Sequence, residues 1–235
     1  SKIENDNWQP LNWIEMLNNI KEMRKNRDAP VDSMGAEQCY DKECALDKDK
    51  RFQILVSLML SSQTKDQVTH EVMLRLRKDG LNVDRILKMS INELESKIKT
   101  VGFWKRKAEY IKKVAVILNE KYQNDIPNTL ESLLELPGVG PKMSHLAMKI
   151  AWNQTTGISV DTHVHRLCNR FGWVRKPTKT PEETRVELES WLPKEHWDDI
   201  NLILVGFGQS ICKPVSPQCR NCFNNKICPS STISF

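Results

Sequence analysis

Apolar residues along this chain recur mostly at three- and four-residue intervals, and few stretches alternate at period two. That spacing gives a helix one buried stripe and one wet face. Start signals fall where such stripes begin. Ser90-Ile91-Asn92-Glu93 has the form of a capping box, in which the serine hydroxyl takes an orphan backbone N–H and the glutamate reaches back. Asn128 with Glu131 offers a similar pairing. Thr180-Pro181-Glu182-Glu183 is the best formed, because proline at the first helical position forfeits no hydrogen bond. Beyond it, Val186, Leu188, Trp191 and Leu192 supply the stripe. The pattern predicts helices over 10–25, 50–60, 66–78, 83–88, 91–98, 105–122, 129–135, 142–152, 162–171, 182–191 and 196–208, joined by short loops. The fold class is all-α. The polar segment from Arg27 to Lys50 has weak periodicity and reads as a loop or an extended wrap.

Composition agrees with that class. Hydrophobic residues make up 39% of 235, enough for a core, and only 9 glycines and 3 tyrosines occur, which argues against a β-rich fold. The longest apolar run, Phe52 to Leu60, is too short for a helix to cross a bilayer, which takes ~20 residues. No secretory leader stands at Ser1, and a chain that opens on Ser rather than Met leaves a preceding segment, with any targeting signal, an open question. The formal charge of +5 permits an acidic partner without requiring one. Between Lys97 and Lys113, seven basic residues (Lys97, Lys99, Lys105, Arg106, Lys107, Lys112, Lys113) face one acid, Glu109. A solvated helix face and an anion-binding face are equally open from charge alone.

Leu136-Pro137-Gly138-Val139-Gly140-Pro141-Lys142 carries more information. Pro137 ends one helix, Gly138 and Gly140 bracket a tight turn, and Pro141 opens the next helix. Backbone N–H groups at such a turn, beside a helix N-terminus, point at an anion such as a phosphate. The pattern matches a helix-hairpin-helix, which holds a DNA backbone rather than reading bases. It is neither a Walker loop nor a dinucleotide fingerprint. Lys142 falls in the first turn of the second helix, where it serves either as a phosphate contact or as a nucleophile. A lysine attacks only when neutral, and a helix N-terminus and burial against DNA both disfavour the ammonium.

Val160-Asp161-Thr162-His163 places Asp161 as an N-cap on the next helix. A carboxylate held this way is fixed and ionised, and can stabilise a cationic sugar or manage a proton. Asp161 cannot make Lys142 neutral by charge, since an acid raises a lysine pKa. His163 and His165, two apart, do not share a helical face and so do not read as a metal pair. Cys212, Cys219, Cys222 and Cys228 are spaced x6, x2, x5 at one end of the chain. Four thiolates within 17 residues can enclose zinc or an iron–sulfur cluster. Cys39, Cys44 and Cys168 show no partner pattern and read as free.

Hairpin, Asp-Thr-His segment and cysteine quartet, in this order, resemble the endonuclease III family of DNA glycosylases with abasic-site lyase activity. The resemblance runs from about Trp8 to Pro229. Asp28-Ala29-Pro30-Val31-Asp32 and Leu60-Ser61-Ser62-Gln63-Thr64-Lys65-Asp66 are similar to its eukaryotic branch. The family implies a [4Fe–4S] cluster on the four cysteines, Lys142 as Schiff-base nucleophile and Asp161 as second catalytic residue. It also implies that Gln63 and Phe103 enter duplex DNA where a base leaves, and that Gly138, Gly140 and His163 contact DNA. Met143-Ser144 after the lysine departs from the Thr-Ala common in bacterial members, a matter of helix packing.

The same resemblance implies two helical domains: a six-helix domain with the hairpin over 46–158, and a cluster domain built from 1–45 and 159–235, with an active cleft between. The implied partner is double-stranded DNA bearing abasic sites or oxidised pyrimidines such as thymine glycol. A monomer, no membrane, and the nucleus, also the mitochondrion, complete the expectation. Two alternatives remain: a non-catalytic hairpin protein with a structural metal, and an adenine-specific glycosylase. Lys142, and a chain that stops at Phe235, are expected for the lyase rather than for the latter.

Overall fold

A computed structural model of the protein describes residues 8–233. Among them are twelve α-helices and no strand: α1 (Trp13–Met23), α2 (Pro30–Met34), α3 (Asp47–Ser61), α4 (Asp66–Lys78), α5 (Val83–Lys88), α6 (Ile91–Ile98), α7 (Trp104–Lys121), α8 (Leu130–Leu134), α9 (Pro141–Trp152), α10 (Thr162–Phe171), α11 (Pro181–Trp191) and α12 (Ile200–Ser210). None is long and apolar enough to cross a membrane. The chain divides into a middle unit, Ser33–Thr156, and a second unit made of the residues up to Asp32 and from Gly157 onward.

Both cuts differ from the expected 45/46 and 158/159. Residues 36–40 belong to the middle unit because Ala36, Cys39 and Tyr40 join its core and the Asp41 N–H bonds Gln53 Oε1 at 2.7 Å. Ile158 belongs to the second, where it is fully buried and donates its N–H to Glu189 at 2.8 Å. The 27–50 segment is not a loop throughout, since it contains α2 and the start of α3. The middle unit holds seven α-helices rather than six, α3 through α9, among the described residues. Of the capping signals, Ser90 accepts the Glu93 N–H at 3.1 Å and Thr180 that of Glu183 at 3.2 Å. At the third, the cap is Thr129 rather than Asn128, accepting from Ser132 at 3.3 Å.

Helix α3 is the axis of the middle unit. Every residue from Phe52 to Leu60 is buried, so this helix has no wet face in its second half. Its two polar members are satisfied: Gln53 donates to Leu81 O at 3.1 Å and Ser57 to Ile54 O at 2.7 Å. Helix α9 packs along it. Arg51 fixes the pair, with its guanidinium 4.3 Å over the Trp152 ring and a fork on Asp125 at 2.9 and 2.7 Å.

The second unit is built on tryptophans. Trp191 meets Trp13 and Trp173 edge-on at 5.4 and 5.8 Å, and its Nε1 donates to Trp173 O at 2.9 Å. Arg24 lies beneath α12, only 1% exposed, with two bonds to Asp32 at 2.8 and 2.6 Å. Gly206 makes the room: a Cβ there would sit 2.1 Å from the guanidinium. Asp32 also takes the Ala29 N–H at 2.9 Å, which shapes the turn into α2. Removing one partner of a buried pair strands the other charge. Asp32→Ala is therefore expected to lower unfolding stability by about 3 kcal/mol in denaturant titration. A loss below about 1 kcal/mol contradicts the reading of Arg24 as a buried ion.

Candidate functional site

The hairpin of the middle unit forms as its residues dictate. Val139 N–H closes on Leu136 O at 3.1 Å, and Gly138 sits at φ +77°, where a side chain is strained. Space forbids a side chain there as well, because a Cβ would lie 2.4 Å from the Tyr110 ring. Gly140 is the N-cap of α9, and its missing Cβ would point into open space. Pro141 starts the helix and Ser144 N–H returns to Gly140 O at 2.9 Å. Lys142 is half-buried in this first turn. The positive end of the α9 dipole lies at its backbone.

Gln63, Phe103 and Gly138 line one hollow of about 290 Å³, together with Met59, Arg106 and Tyr110. Sequence spacing alone gives no reason for these three to meet. Gln63 follows α3 and Phe103 precedes α7, and both stand at left-handed φ, 51° and 55°. Phe103 is 65% exposed, an aromatic ring held in water on a strained backbone. Strain of this kind costs of order 1–2 kcal/mol per residue and concentrates at functional sites.

Lys107 was legible only as one member of a basic run. In the fold it is buried, and its Nζ donates to Leu60 O at 2.7 Å, Ser62 O at 2.6 Å and Thr64 Oγ1 at 3.2 Å. Burial brings its ammonium down to about 8. The signal that finds it is helical register, four residues after Phe103. Lys112 is also engaged, donating to the carbonyls of Ile86, Leu87 and Met89 at 2.8, 3.0 and 2.7 Å. Lys99, Lys105, Arg106 and Lys113 are the exposed part of the run. The run is therefore not one uniform face: Lys107 and Lys112 brace the fold.

In the second unit Asp161 caps α10, with Oδ1 accepting the Val164 N–H at 2.8 Å. His163 packs on Gly208, and its Nδ1 lies 3.2 Å from an Arg166 nitrogen. His165 bonds Thr184 at 2.7 Å, so the two histidines have separate surroundings. The four C-terminal cysteines line one hollow of about 210 Å³ with Arg170, Phe171 and Phe207. Arg170 donates to Cys212 Sγ at 3.4 Å and to the Lys213 and Pro214 carbonyls at 2.8 and 2.9 Å. Burial pushes Cys222 up to about 11 and raises Cys228, while bonds with Thr232 lower Cys219. None of the seven cysteines is in a disulfide. Among the described residues no three His, Cys, Asp or Glu side chains close on a point that would hold a single ion. Four thiols sharing one hollow are a donor set chemically suited to a metal centre.

A family model for the HhH-GPD superfamily of base excision DNA repair proteins matches residues 56–194. The chain is 58% identical to endonuclease III-like protein 1 of Gallus gallus, over 95% of this chain and 79% of that protein. It is 54% identical to the Mus musculus protein of the same name, over 95% and 74%. Identity to the chloroplastic endonuclease III homolog 1 of Arabidopsis thaliana is 49%, over 98% and 62%. Among solved structures, a trapped endonuclease III–DNA covalent intermediate aligns with TM-score 0.78 at 28% identity, over 93% of this chain and 94% of that one. A thermostable thymine-DNA glycosylase at 21% identity shares the fold, with TM-score 0.74 over 93% and 95%. The chain belongs to the HhH-GPD superfamily of base excision DNA repair enzymes, in its endonuclease III branch.

Proposed function

We propose that this enzyme is a bifunctional glycosylase and abasic-site lyase that excises oxidised pyrimidines, thymine glycol among them, from double-stranded DNA. The observation that carries the reading is Lys142, set in the first turn of α9 directly after the Gly138–Pro141 hairpin. The solved structure at 28% identity is described as a covalent DNA intermediate, which supports a nucleophilic route. In this account the hairpin N–H groups and the exposed lysines of the basic run hold phosphates. The damaged base leaves the stack at a cost of a few kcal/mol, least for a lesion that stacks poorly. Gln63 and Phe103 fill the vacated space.

The Lys142 amine then attacks C1′. The C1′–N bond breaks with its electrons leaving on the base, which takes up a proton. Asp161 stabilises the positive charge that develops on the sugar. Nitrogen lone-pair donation opens the ring to a Schiff base, removal of a C2′ proton pushes electrons toward C3′, and the C3′–O bond breaks. His163 contributes to holding DNA. The protein acts as a monomer wherever the cell keeps DNA, the nucleus and the mitochondrion.

Cys212, Cys219, Cys222 and Cys228 would hold a [4Fe–4S] cluster, for which their shared hollow is suited. Bound there, it supplies cross-linking of an otherwise irregular loop. Lys213, Arg220 and Lys226 on that loop are then held in fixed positions toward phosphate.

Three outcomes follow. Borohydride traps the protein on abasic duplex, and Lys142→Ala abolishes the adduct; an undiminished adduct refutes the assignment. Asn caps helices as well as Asp does, so Asp161→Asn keeps stability within about 0.5 kcal/mol. Its single-turnover rate nevertheless falls by at least about 100-fold; an equal rate would leave Asp161 a cap and nothing more. Anaerobically purified protein is brown with broad visible absorption, whereas colourless protein holding zinc contradicts the cluster.

A further inference from the structure

Lys107 is a buried cation, and its three acceptors all lie in one short turn, 60–64. Two are carbonyls at the exit of α3, Leu60 O and Ser62 O, where a helix end favours positive charge. The third, the Thr64 hydroxyl, also receives the Gly102 N–H at 3.0 Å and lies 3.3 Å from Ser62 O, to which it donates. Gly102 comes so close that a Cβ would stand 2.8 Å from Gln63 O. The turn that carries Gln63 and the turn that carries Phe103 are therefore joined by backbone contact and by one hydroxyl, and the lysine ammonium ties that joint down. Both carried residues hold left-handed φ, which persists only where surroundings impose it.

We propose that Lys107 is a positioning residue that locks the 62–64 turn to the 102–103 turn, so that Gln63 and Phe103 meet DNA as one preformed unit. The proposal rests on the functional reading above. Its advantage is entropic: two side chains already in place do not have to be ordered while a base is leaving. The amine is held inward on three acceptors, a placement for bracing and not for attack.

The hollow beside Lys107 is lined by two further titratable groups, Arg106 and Tyr110, both from α7, while Met59, Ser62 and Gln63 bring none. A proton lost from Lys107 as pH passes about 8 removes one of three donors and slackens the joint. The preference of the wild type for an abasic-analogue duplex over intact duplex is thus expected to weaken between pH 7 and 9.

The test measures Kd for a duplex with a tetrahydrofuran abasic analogue and for the intact duplex, with wild type, Lys107→Met and Thr64→Val. Lys107→Met is expected to reduce the ratio of the two affinities by at least about tenfold while intact-duplex binding holds. Its ratio should also be flat from pH 7 to 9. Thr64→Val should reduce the ratio in the same direction, and it decides the matter alone if Lys107→Met does not fold. Folded variants that keep the wild-type ratio, or that lose both affinities equally, overturn the tie. If wild type traps on abasic DNA and discriminates while the variants discriminate equally well, only the tie fails. If wild type neither traps nor discriminates, the functional reading fails with it.

Discussion

The ring of Tyr110 lies so close against Gly138 that no side chain fits between them. That contact seats the hairpin on α7, the helix that Phe103 immediately precedes and that carries Lys107 one turn after it. Through Lys107 the same helix reaches the end of α3, and through α3 it reaches the helix that bears Lys142. The hairpin, Lys142, Gln63 and Phe103 are thus referred to one pair of packed helices. A displacement of 1 Å in such a site costs up to about 100-fold in rate, so this referencing matters to turnover.

Two lysines in this unit invite comparison. Lys107 has the depressed pKa, about 8, that a nucleophile would want. Its amine is nevertheless enclosed and committed to three acceptors, and desolvation alone accounts for the shift. Lys142 is partly open to solvent at the positive end of a helix, beside N–H groups able to hold phosphate. In the proposed function, access and phosphate-binding surroundings single out Lys142 as the residue that reacts.

Much of the fold was legible because local rules suffice for it. Pro141 and Pro181 start helices where proline at the first position predicts, and Asp161 caps α10 as its place before Thr162 requires. The hairpin was legible because glycine and proline leave few backbone options there. What stayed hidden depends on contacts far apart in sequence. Residues 36–40 look like a loop until Gln53 is seen to bond Asp41. Lys107 looks like surface charge until the 60–64 turn is folded over it. The meeting of Gln63 with Phe103 rests on a backbone approach at Gly102 that no periodicity encodes.

The claim that organises these features is that Lys142 forms the bond to DNA. Peptide mass spectrometry of the borohydride-reduced complex with abasic duplex tests it directly. The account predicts a deoxyribose remnant on the peptide spanning the hairpin, placed by fragmentation on Lys142. A remnant on Lys107, or on any other amine with Lys142 unmodified, contradicts it.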